Sequence, residues 1–64
     1  MKPTYSPPIT AEAAAIIKRA LLNGLFQHQI ASVLGVNQGR ISEVNTGKLF
    51  AQVPPASELP LAFG

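Results

Sequence analysis

The sequence predicts an all-α protein of three short helices flanked by proline-rich extended arms, and three observations lead there. All six prolines fall in residues 1–9 and 51–64, which leaves residues 10–50 free of the residue that costs a helix interior about 3 kcal/mol. Within that stretch apolar residues recur at helical spacing, with no strand-like alternation. Gly24, Gly35 and Gly47 then punctuate it where three helices would stop. The chain thus divides into an N-terminal arm (1–9), a helical domain (10–50) and a proline-rich tail (51–64).

Thr10 can cap the first helix by accepting from a free backbone amide. Glu12 follows in the first turn and Lys18 and Arg19 sit late, the charge order that the helix dipole favours. Ala13, Ile16, Ile17, Ala20 and Leu21 share its apolar face, and Asn23-Gly24 ends it. The second helix is expected from Phe26-Gln27 to Leu34, with Phe26, Ile30, Ala31, Val33 and Leu34 facing inward and His28, Gln29 and Ser32 facing water. At barely two turns it could not persist alone. Asn37 caps a third helix over residues 38–46, in which only Ile41 and Val44 point inward.

The stretch 27–44, QHQIASVLGVNQGRISEV, joins two short helices by a tight turn containing glycine. Ala31 is small where the third helix must cross the second. Gly35 occupies the turn position that needs positive φ, and Val36 plugs the turn into the core. Ile30, Leu34, Ile41 and Val44 supply the other apolar contacts. This segment resembles the helix-turn-helix of phage repressors, Cro proteins and small bacterial transcription regulators. The similarity covers residues 10 to about 50, with its specific part at 27–44. The resemblance implies that the third helix enters the DNA major groove while the second crosses above the backbone. Members of that group usually add further helices after the motif. Here a proline-rich tail follows, which leaves the mode of dimerisation open.

On the third helix, Gln38, Gly39, Arg40, Ser42, Glu43 and Thr46 form the expected base-reading set. Gln38 matches a base-reading glutamine of the resembled motif and can bond bidentately to adenine. Arg40 can bond to guanine or to a phosphate. Gly39 either lets the backbone approach DNA closely or loosens the first turn. Glu43 either accepts from a cytosine amine or holds Arg40 one turn away. Gln27, His28, Asn37 and Lys48 are the expected backbone contacts, Gln27 because its match in the motif brings a helix end to a phosphate. Lys48 is equally placed to interact with the dipole of the third helix. Lys2 and Tyr5 in the N-terminal arm could reach a neighbouring groove or backbone.

Composition narrows the alternatives. Sixty-four residues make one domain with no room for a large enclosed active site. The absence of cysteine removes disulfides and thiolate chemistry, and one histidine with three scattered carboxylates builds neither a metal centre nor a general base. No enzymatic activity, cofactor or small-molecule substrate is expected. No apolar run approaches the ~18 residues that span a membrane, and the N-terminus lacks a signal peptide's apolar core. The expected location is therefore cytoplasmic and nucleoid-associated. A net charge of +2 permits nucleic-acid binding but makes a monomer a weak binder, so the expected partners are double-stranded DNA and a second copy of the chain. The alternative is a protein-interaction module, inhibitor or accessory subunit that uses the helical scaffold without reading DNA. The tail segment Leu59-Pro60-Leu61-Ala62-Phe63 is apolar enough either to fold back on a domain or to remain a free end.

Overall fold

The structure, a computed structural model, describes residues 9–63. Three α-helices, α1 (Ala11–Leu22), α2 (Gln27–Leu34) and α3 (Gln38–Thr46), are followed by a single 3-10 turn at Leu61–Phe63. No strand occurs among the described residues, so the fold is all-α. The N-terminal segment that holds Lys2 and Tyr5 lies outside the described residues.

Each helix begins where its sequence supplies a partner for an orphan amide. Thr10 Oγ1 accepts from the Ala13 N–H at 3.1 Å, and Asn37 Oδ1 accepts from the Gly39 N–H at 2.8 Å. In α2, Gln29 reaches back so that its Oε1 accepts from the Phe26 N–H at 2.8 Å. The stops are equally local: α2 ends at Gly35 with φ 69° and ψ 31°, the left-handed conformation that turns the chain toward α3. The Val36 N–H closes that turn on the Ala31 carbonyl at 3.1 Å.

The core is small and built from short side chains. Ala14, Ile17 and Ala20 of α1, Ile30 and Ala31 of α2, and Ile41 and Val44 of α3 are its buried members. α3 packs most extensively on α2 and also on α1, so the last helix is braced from two sides. Leu25, Leu34 and Val36 close the rim near the turns, and Ile9, placed by sequence in the arm, also packs against the core.

Two expectations about inward faces are corrected. Phe26 is 66% exposed and Val33 41%, although both share the apolar side of the α2 wheel. An eight-residue helix in a molecule this small has a narrow buried stripe, which Ile30, Ala31 and Leu34 already fill. Phe26 is the residue before α2 rather than part of it, and its ring stacks on His28 with centroids 5.8 Å apart and planes within 8°. In α1 the fully buried positions are Ala14, Ile17 and Ala20, whereas Ala13, Ile16 and Leu21 are half-buried.

The reason for that shift is the chain after α3. It is not a free extended arm. Leu49, Phe50, Leu59 and Phe63 pack against the core, and the 3-10 turn rests on α2. Lys18 Nζ donates to the carbonyls of Phe50 at 2.5 Å and Val53 at 2.6 Å. Arg19 Nε donates to the Ala56 carbonyl at 2.6 Å, and the Ala56 N–H donates to the Ala15 carbonyl at 2.9 Å. The segment thus lies along the Ala15–Lys18–Arg19 side of α1, closes over the Ala14 flank and widens the arc of that helix that is buried. Phe50 adopts φ 55°, the one non-glycine residue in the left-handed region among those described, and Lys18 holds its carbonyl there.

Candidate nucleic-acid interface

The geometry of the interface follows from how α3 is held. Ile41 and Val44 are buried, one turn apart, so the opposite side of the helix is turned to solvent. Ala31, only 7% exposed, lies under it, and a methyl side chain there lets the helices come close. Gln38, Gly39 and Arg40 at the N-terminal end of α3, and Thr46 at its other end, are exposed. Ser42 and Glu43 are half-buried, so the exposed positions lie at the two ends of the helix, Gln38, Gly39 and Arg40 at one and Asn45 and Thr46 at the other.

The polar groups on this face differ in how far they are already committed. Arg40 Nη1 donates to Glu43 Oε1 at 2.6 Å, which places Glu43 as the partner of Arg40, the second of the two accounts open from sequence. Thr46 Oγ1 lies 3.4 Å from the Glu43 carbonyl, a long contact back to its own helix. Asn37 serves as the cap of α3, so its Oδ1 is engaged with backbone. Gly39 has neither a positive φ nor a loosened turn: it lies in regular α-helix, and a Cβ there would meet Asn37 Oδ1 at 3.2 Å. The glycine makes room for the cap.

The positions assigned to backbone contacts are scattered more widely. Gln27 is half-buried at the start of α2, and His28 is exposed beside Phe26. Lys48 is exposed just past Gly47, with its N–H folded back on the Glu43 carbonyl at 2.9 Å. Lys18 and Arg19, which sequence alone assigned only to the helix dipole, are turned to the carbonyls of the C-terminal segment. Carbonyl acceptors thirty or more residues away leave no periodic signal, so nothing in the sequence marked these two cations as internal.

Charge placement separates α3 from α1. In α1 the acid Glu12 is in the first turn and the base Arg19 in the last, as the dipole favours. In α3 the order is reversed, with Arg40 in the first turn and Glu43 behind it. An exposed pair at this spacing stabilises a helix by only ~0.3–0.5 kcal/mol, and less in this orientation. Helix stability therefore does not account for a cation at that end.

Among the described residues no three His, Cys, Asp or Glu side chains come together in a way that could hold a metal ion. No helix among them is long and apolar enough to cross a membrane. Comparison of the chain with protein-family models, with curated proteins and with solved structures returned no match.

Proposed function

We propose that the chain binds double-stranded DNA sequence-specifically, as a small transcriptional regulator of the bacterial or phage kind, with α3 lying in the major groove. The observation that carries this reading is the exposed first turn of α3, where Gln38 and Arg40 stand together at the positive end of the helix. A cation at the positive end of a helix is unfavourable until acceptors face it. Major-groove edges offer such acceptors, the N7 of purines and the O6 of guanine above all. Gln38 then reads adenine and Arg40 guanine. Gly39 lets the turn approach, while Ser42, Glu43 and Thr46 modulate.

Gln27, His28, Asn37 and Lys48 would set the helix on the backbone. With Lys18 and Arg19 turned inward, few cations remain for phosphates, so a single copy binds weakly. Two copies on a two-fold site, with half-sites about 34 Å apart, would supply the missing contacts. Binding of this kind would place the protein with the nucleoid.

Selection of bound sequences from a random duplex library tests the proposal. An enriched palindrome, and a fall of affinity with rising salt, are expected. No enrichment and no binding to any duplex at low salt would favour a protein-interaction module or accessory subunit instead. That second reading has an observation of its own: Leu22, Phe26 and Leu61 are 65%, 66% and 97% exposed.

A further inference from the structure

We infer that Glu43 is the selectivity residue of the α3 face, acting through Arg40 and not on a base; this deepens the DNA-binding reading and rests on it. The carboxylate touches one nitrogen of Arg40, Nη1, at 2.6 Å, while the side chains stay 47% and 36% exposed. A guanidinium has five N–H donors in a rigid plane, so a partner at one corner biases the direction of the fork and leaves the rest of it to bind. Without that partner, a flexible arginine at the mouth of a groove would take whichever phosphate lay nearest, and phosphate contacts hold no sequence information.

The same carboxylate sets the charge of the helix. Arg40 and Glu43 cancel, so α3 is neutral as a whole, and the next exposed cation is Lys48 beyond its end. Lys18 and Arg19 do not compensate, because both are engaged by main-chain carbonyls of the C-terminal segment. A carboxylate facing a duplex opposes all sequences alike. Fixing Arg40 on a base edge favours only some of them. Glu43 therefore lowers affinity for arbitrary DNA and raises the ratio between the correct site and its variants.

The test compares the parent, Glu43→Gln, Arg40→Ala and the double variant. The probes are the duplex enriched by the parent from a random library, its single-base variants, and a random duplex. Glu43→Gln is expected to bind the random duplex several-fold more tightly, with the slope of log affinity against log salt steeper by about 0.9, as one more phosphate is neutralised. Discrimination should fall about ten-fold at one base position. In the Arg40→Ala background the same change should leave that position unaffected. Unchanged discrimination in Glu43→Gln overturns the inference, as does an equal loss in the Arg40→Ala background, which would mean that Glu43 reads a base itself. A parent that enriches no sequence removes the DNA-binding reading first, and is told apart from these outcomes by the parent's own result.

Discussion

At the scale of single residues, the candidate interface separates side chains that are engaged inside the molecule from those left to bind. Gln38 heads the second group, and Lys48 is exposed beyond the helix end. Gln38→Ala should lower discrimination at one base position by about 1–3 kcal/mol, whereas Lys48→Ala should weaken all duplexes alike. Affinities for the selected duplex and its single-base variants measure both, and equal sequence-independent losses would refute the division of roles. Gly35 is a different kind of position. A Cβ built there meets nothing within 4 Å, so space is not what demands glycine; φ 69° is. Gly35→Val should destabilise by at least the ~1–2 kcal/mol of a left-handed residue, and Gly35→Asn by clearly less. Thermal melting of the two variants checks the order, and a valine variant that melts with the parent would break the account of the turn.

Among the elements, α3 matters most, and it is short. Nine residues with two buried side chains do not hold a helix by themselves. Its direction comes from α2 below and α1 beside it, and the approach to α2 relies on Ala31. Ala31→Leu should cost about 1–3 kcal/mol by overpacking and should displace α3. Amide chemical shifts would show the change concentrated in residues 38–46 and in the α1 residues packed on them, while Thr10 and the first turn of α1 stay near their parent values. Legibility in sequence was high here. The starts of α1 and α3 and the stops of all three helices could be read from Thr10, Asn37 and the glycines, because caps and stops depend on residues within four of each other; the Gln29 contact that opens α2 was not, its side chain being placed toward water. The inward faces of Phe26 and Val33 were misjudged for the converse reason. A wheel gives the apolar side of a helix but not the width of the neighbour that covers it.

For the whole molecule, the C-terminal segment is the decisive addition. The three helices bury only alanine, isoleucine and valine side chains completely, a thin core for an independent domain. Leu49, Phe50, Leu59 and Phe63 thicken it from the chain that follows. Lys18 ties this segment down through two short hydrogen bonds. Lys18→Met keeps the aliphatic stem and removes the charge, and it should lower stability by about 1.5–3 kcal/mol, the usual worth of hydrogen bonds to a charged group. Urea melts followed by far-UV circular dichroism measure this loss. Faster proteolysis within residues 51–63 should accompany it. A variant as stable and as protected as the parent would mean that the apolar contacts alone hold the segment.

Sequence by itself determined the helices, the caps of α1 and α3, the glycine turn between α2 and α3, and the set of side chains on the outer face of α3. All of these follow from interactions within one or two helical turns, where spacing along the chain is distance in space. Only the tertiary structure decided that Arg40 is held at one corner by Glu43, that Gly39 is shaped to the Asn37 cap, and that Lys18 and Arg19 serve the fold. The partners of those two cations are main-chain carbonyls, which every residue possesses. A bond to an acceptor of that kind leaves no mark on residue identity, and only the path of the folded chain reveals it.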